Sequence, residues 1–216
     1  MQNRRGLSSL INEKFIIKKS KVAVTGNIGS GKSTFVKYLS EKGFPIIQAD
    51  EVSKELLAND PSVREKIIKG FGSIVYDGNN INKSYLSGQI FSNPKKLKKI
   101  NSILHPLVRK KIESISKDYF ITDDIVFIEV ALVYESKIEN MFDYIVLIFA
   151  DEEVRMNRSV QNNKLTEADF YNRNKNQIDD NKKIKRADFV FYNNRTETEL
   201  KSKADLLIKL LENPHK

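Results

Sequence analysis

Short, almost unbroken apolar runs recur along this chain between stretches in which apolar positions return every three or four residues. The runs are Lys21–Thr25, Pro45–Ala49, Ile125–Val130, Tyr144–Ala150 and Asp188–Tyr192. Three of the last four are nearly continuous Ile, Val, Leu and Phe, as in strands covered on both faces. Helical spacing fills the intervals, and that alternation predicts a parallel sheet built from βαβ units. A helix is expected over Thr34–Lys42, stopping at Gly43. The interval from 50 to 124 needs more than one crossover helix. In it, Asp60-Pro61 and Asn93-Pro94 each set a capping residue before a proline at the first helical position. The first leads to Gly70. The second opens a long helix with the apolar stripe Leu97, Ile100, Ile103, Leu104, Leu107, Val108, Ile112 and Ile115, in which Pro106 should introduce a kink. Phe71–Asn80 reads as turns. Residues 59–118 are therefore expected to form a helical insertion packed beside the sheet.

Composition narrows this picture only a little. A chain of 216 residues suffices for one α/β domain with insertions. It has no cysteine, so disulfides, thiolate metal sites and thiol nucleophiles are excluded. A reducing cytoplasm suits that composition, and the protein is expected to be cytoplasmic. No apolar run approaches membrane-spanning length, so no membrane partner is expected. The first twenty residues carry Arg4, Arg5, Lys14, Lys18 and Lys19 but no secretory pattern. They read as a dispensable extension, leaving 21–216 as the domain. The formal charge of +9 has two readings, affinity for polyanions or a Lys-, Asn- and Ile-heavy composition with no specific partner. Its lysines are scattered, apart from Lys95, Lys96, Lys98 and Lys99 at a helix start, and nucleic acid is not expected as a partner. A monomer is expected, with an oligomer left open.

The chemistry begins where the first strand ends. Residues 26–33 read Gly-Asn-Ile-Gly-Ser-Gly-Lys-Ser, a full match to the G-x-x-x-x-G-K-[ST] phosphate-binding loop. The loop stands between a strand and a helix N-terminus, where unpaired backbone N–H groups converge on anions. Gly26, Gly29 and Gly31 allow the chain to curl around phosphates, with Asn27, Ile28, Ser30 and Thr34 completing the cradle. Lys32 can reach the β- and γ-phosphates, and the Ser33 hydroxyl can ligand Mg²⁺. The chain is expected to bind a nucleoside triphosphate. Guanine-reading motifs are missing from suitable places, which leaves a small kinase as the use that fits this length.

A kinase needs a carboxylate beside the acceptor hydroxyl, and strand C-termini line the same crevice as the loop. Asp50 directly follows the second run. It is either the base that accepts or orients the acceptor proton, or simply a cap for the next helix. Glu129 ends the third run, and either binds Mg²⁺ through water or is an ordinary strand-end carboxylate. A helix over Glu152–Ser159 carries Arg155 and Arg158. A polar stretch, 161–164, and a second helix opened by Thr166 follow, the latter bearing Arg173 and Gln177. Residues 155–180 read as a cationic lid that closes over the nucleotide, or as a solvated charged face.

Taken in order, these motifs resemble the dephospho-CoA kinase family from residue 21 to about 195. The residues that carry the resemblance are Thr25–Thr34, Ala49-Asp50, Phe71-Gly72, Asp77-Gly78, Leu86, Phe91, Leu104–Arg109, Glu129–Glu135, Arg158, Arg173 with Gln177, and Ala187–Asn193. The resemblance implies a three-layer α/β P-loop NTPase sandwich with a five-stranded parallel sheet, a helical substrate insertion and a lid. It implies ATP-dependent phosphorylation of the ribose 3′-hydroxyl of dephospho-CoA, giving coenzyme A and ADP with Mg²⁺ as cofactor. Asp50 would be the catalytic base, Lys32 and the loop amides would hold ATP, and Arg158 would reach phosphates from the lid. His105, Arg109 and Leu132 would shape the acceptor site, although His105 is by default a helix or core histidine beside Pro106. Asn193 would lie near the adenine of ATP. Four positions depart from the family pattern: Gln48 and Asn162 replace an Asp and the second lid Arg, Ala131 replaces a Pro, and Lys83 replaces an Arg. Lys164 or Arg155 is expected to supply the charge missing at Asn162. The alternatives are a kinase for another nucleotide-like molecule, or a non-catalytic ATP-binding protein associated with nucleic acid.

Overall fold

Alternation within the apolar runs decides which side chain faces which layer. A computed structural model describes residues 19–78, 80–91, 93–163 and 165–212. In chain order, β1 (Ser20–Thr25), α1 (Lys32–Glu41), β2 (Ile46–Gln48) and α2 (Ala49–Asn59) are followed by α3 (Pro61–Phe71). A two-stranded hairpin, β3 (Tyr76–Asp77) with β4 (Asn80–Ile81), leads to α4 (Lys83–Phe91) and α5 (Pro94–Tyr119). Then come β5 (Ile125–Glu129), β6 (Tyr144–Phe149), α6 (Glu152–Asn163), α7 (Glu167–Asn174), α8 (Asp180–Ile184), β7 (Phe189–Tyr192) and α9 (Glu197–Glu212). The five long-range strands pair in parallel in the order β2-β5-β1-β6-β7. The predicted parallel sheet is therefore present, with the loop-bearing strand at its centre.

Successive residues of a strand point to opposite faces. Val22 and Val24 of β1, Phe127 of β5 and Val146 and Ile148 of β6 pack with Phe35, Val36 and Leu39 of α1 and with Leu200, Ala204 and Leu207 of α9. Their neighbours Ala23, Val126, Ile128 and Ile145 face the other layer, with Val52 of α2 and Ile112 of α5. A third cluster lies outside the sheet. Val63, Ile67 and Phe71 of α3 pack there with Val75, Leu86 of α4, and Ile100 and Leu104 of α5. The α3–α5 segment thus has a core of its own, and α5 spans both because its stripe is long enough to serve two clusters.

Both predicted caps are made. Asp60 Oδ1 accepts from the Ser62 and Val63 amides at 2.8 and 3.0 Å, and Asn93 Oδ1 from those of Lys95 and Lys96 at 3.0 and 3.3 Å. α5 continues through Pro106 as one helix. Most boundaries shift by a residue or two, and some differ for a reason the structure shows. β2 stops at Gln48 because Ala49, a strong helix former, and the acids Asp50 and Glu51 suit a first helical turn. α6 runs on to Asn163 across the polar stretch read as a loop. α7 ends at Asn174, which leaves Gln177 in the following turn. Part of the turn-rich Phe71–Asn80 region is the β3–β4 hairpin. Of the expected extension over residues 1–20, residues 1–18 lie outside the described residues and Ser20 already opens β1, while the expected role of Lys164 also lies outside them.

Candidate active site

β1 leads directly into the phosphate-binding loop, and two of its glycines explain the loop's course. Gly29 has φ +77°, a region that penalises any Cβ. A Cβ there would also overlap the Arg155 carbonyl oxygen and lie 2.6 Å from Ser159 Oγ, so α6 closes directly over the loop. At Gly26 an added Cβ would overlap the Ile148 carbonyl oxygen and lie 2.6 Å from Ser30 Oγ. Gly31 is the N-cap of α1, and its helix begins at Lys32. Ser33 is exposed at that helix start, and Thr34 is half-buried behind it. The Ser30 amide donates to the Asn27 carbonyl at 3.1 Å, closing the turn.

Lys32 folds back over its own loop. Its ammonium donates to the Gly26 carbonyl at 2.8 Å and to the Asn27 carbonyl at 3.2 Å. Burial is the largest cause of a pKa lowered to about 8, with Lys183 and Arg155 adding to it and Glu129 and Asp50 opposing it. Those carbonyl contacts are weak partners that phosphate oxygens can replace. Glu129 ends β5 beside Gln48 of β2, its register partner, whose Nε2 donates to Glu129 Oε2 at 3.2 Å. Burial raises the Glu129 pKa, against the pull of Lys32 and of the Gln48 hydrogen bond.

Asp50 lies in the first turn of α2, one residue further into the helix than its expected position between strand and helix. The N-cap is Gln48, and Asp50 accepts no hydrogen bond among the described residues, so the capping alternative is not realised. Its exposed side chain lines two cavities at once. The larger, about 840 Å³, is an open cleft that also contains Ile28, Lys32, Glu129, Leu132, Arg173 and Gln177. The smaller, about 210 Å³, is lined by Leu104, His105, Val108, Arg109, Ala131 and Leu132. Leu132 belongs to both. Burial, then the Arg109 guanidinium, hold the His105 imidazole below its usual pKa, so it is neutral near pH 7. Arg109 donates to the Ser136 carbonyl at 2.9 Å while its buried Nε has no partner. A third groove, about 830 Å³, runs along the free edge of β2 from Ser33 to Tyr119 and contains neither Lys32 nor Asp50.

The arginines of the expected lid have three different situations. Arg173 is exposed and faces the large cleft. Arg158 donates to the carbonyls of Asn193 at 2.7 Å and Arg195 at 3.2 Å, beside the end of β7. Arg155 is only 2% exposed, which overturns the expectation that it supplies lid charge over the nucleotide. It donates to Ala150 O at 2.9 Å, Ile28 O at 3.3 Å, Asn174 Oδ1 at 2.8 Å and Asp180 Oδ2 at 3.1 Å. A guanidinium offers five donors, and here they tie loop, helix and turn together. Asn193 is likewise buried. Its Nδ2 donates to Ser30 O at 2.9 Å, supporting the loop from behind. Sequence reasoning missed Lys183, which donates to Asn27 Oδ1 at 2.6 Å and pairs with Glu135 at 2.8 Å. Within Lys182-Lys183-Ile184-Lys185 no charge pattern marks it as the buried one.

The chain is similar to known proteins over most of its length. The family model described as dephospho-CoA kinase matches residues 20–199. This chain belongs to the dephospho-CoA kinase family. A dephospho-CoA kinase from Fusobacterium nucleatum subsp. nucleatum is 36% identical over 185 residues, covering 85% of this chain and 94% of its own. Among solved structures, TT1252 from Thermus thermophilus superposes with a TM-score of 0.77 at 27% identity, over 89% of this chain and 98% of that one. Dephospho-CoA kinase from Campylobacter jejuni does so with a TM-score of 0.69 at 26% identity, over 91% and 98%. Membership identifies the chain as a kinase with the P-loop α/β fold.

Proposed function

We propose that this kinase transfers the γ-phosphoryl group of ATP to the ribose 3′-hydroxyl of dephospho-CoA, giving coenzyme A and ADP. The triphosphate lies along Gly26–Thr34, where the amides and the helix start favour anions. Lys32 leaves the Gly26 and Asn27 carbonyls for the β- and γ-oxygens. The 3′-oxygen bonds to the γ-phosphorus as the bond to the β–γ bridging oxygen breaks, and that electron pair leaves with ADP. Asp50 takes the hydroxyl proton. Arg173 and Arg158 reach the phosphates when the lid closes. The adenosine of the acceptor sits toward His105, Arg109 and Leu132, with Leu132 at the junction of the two cavities. The exposed Ser33 hydroxyl and the Glu129 carboxylate suit Mg²⁺, which takes one or two protein oxygens and fills its shell with phosphate and water. Bound there, the ion would neutralise charge on the transferring group. We place the reaction in the cytoplasm, in keeping with a cysteine-free chain whose described helices are none of them long and apolar enough to cross a membrane.

The observation that supports this reading most is a cationic Lys32 and an uncommitted Asp50 lining one cleft. Asp50→Asn keeps the size and removes the base. Turnover should fall by about 10²–10⁴-fold with ATP affinity changed less than about twofold. Turnover within about threefold of wild type would remove Asp50 from the base role.

A further inference from the structure

Lys183 is a lysine with no exposed surface at all, held in α8 beneath the phosphate-binding loop. Burying an ammonium demands a partner, and Glu135 Oε1, 2.8 Å away, is one. That pair does not exhaust the contacts. Glu135 Oε1 also accepts the Ile178 amide at 2.8 Å, and its Oε2 is buried without a partner. The Lys183 ammonium meanwhile gives its shortest bond, 2.6 Å, to Asn27 Oδ1, on the second residue of the loop. Asn27 is itself 4% exposed. Its neighbour Ile28 is fixed from the same side: its N–H donates to Gln177 Oε1 at 2.9 Å and its carbonyl accepts from Arg155 at 3.3 Å.

We propose that Lys183 is a positioning residue for ATP binding, holding Asn27 so that the loop is preformed, and that this role is separable from its ion pair with Glu135. The inference rests on the reading of Gly26–Thr34 as the ATP site. An ion pair serving stability alone could be exchanged for uncharged groups at little cost. A cation shared between an acid and the loop cannot, because the loop loses the anchor at Asn27 Oδ1. The charge is also felt at the site, since Lys183 is among the groups lowering the Lys32 pKa. A preformed loop binds more tightly because less ordering accompanies binding.

The test separates the two roles by measuring thermal unfolding and Mg-ATP affinity by calorimetry on the same variants. Lys183→Met strands Glu135, so Tm should fall and the ATP Kd should rise about tenfold or more. Lys183→Met/Glu135→Gln removes the stranded charge while keeping an acceptor for Ile178, so Tm should recover and Kd should stay raised. Kd returning to wild type in the double variant, or unchanged in the single one, overturns the proposal. Should Lys183→Met not fold, Asn27→Ala cuts the bridge at the loop end and leaves the ion pair intact. A Kd within about twofold of wild type there would be equally fatal. A wild-type protein that fails to bind Mg-ATP would instead overturn the donor-site reading itself.

Discussion

Replacing Arg155 with Met should damage the fold before it damages the chemistry. The side chain is 2% exposed and its hydrogen bonds reach Ala150, Ile28, Asn174 and Asp180. Methionine fills much of the volume but makes none of these bonds. Breaking one side of a buried ion pair costs about 3–5 kcal/mol, because the remaining charge is left uncompensated. The lower end applies here, as Asp180 keeps 18% of its side-chain surface in solvent and still feels Lys183. For a chain of this size about 3 kcal/mol lowers Tm by roughly 6–12 °C. The pH dependence has a sign. Burial already raises the Asp180 pKa, and losing the guanidinium raises it further. A carboxyl with a raised folded-state pKa binds its proton more readily when folded, so its destabilising effect grows as pH rises and fades as the group protonates. The Tm gap between variant and wild type should therefore narrow on acidification. Thermal unfolding of both proteins across a pH series, with turnover measured well below either Tm, is the assay. A Tm loss under about 2 °C together with a large fall in turnover would refute this account and return Arg155 to the lid.

Two further outcomes follow from the loop. The Lys32 pKa of about 8 belongs to the free enzyme. The ammonium is the phosphate-binding form, so kcat/KM for ATP should decline above about pH 8, whereas kcat, measured on the complex, should hold to higher pH. A kcat/KM profile flat from about pH 7 to about pH 10 would contradict the assignment. Gly29→Ala adds a Cβ at φ +77° that overlaps the Arg155 carbonyl. It should cost about 1–2 kcal/mol in backbone strain, more for the collision, and should weaken ATP binding. Unchanged Tm and Kd by calorimetry would show that α6 does not close on the loop as described.

The parallel sheet and both proline-marked caps were legible because each rests on a pattern carried along the chain: continuous apolar runs alternating with helical spacing, or a capping side chain two or three residues before a free amide. The loop was legible for the same reason, since its glycines and lysine are adjacent in sequence. Boundaries at Gln48 and Asn163 were not, because a strand end and a polar helix turn differ only in what covers them. Arg155 and Lys183 were misread or missed outright. Each is a cation in a lysine- and arginine-rich chain, and only tertiary contact separates those folded under the loop from those facing solvent. Asp50 shows the reverse case. Sequence left capping and catalysis equally open, and the structure removes capping by giving the N-cap position to Gln48.

The most direct measurement of the central claim is product analysis after incubating the protein with Mg-ATP and dephospho-CoA. Coenzyme A and ADP should form in equal amounts, with the new phosphoryl group on the ribose 3′-oxygen, and no such product should come from Asp50→Asn on the same timescale. ATP bound by the wild-type protein but dephospho-CoA left unmodified would contradict that claim.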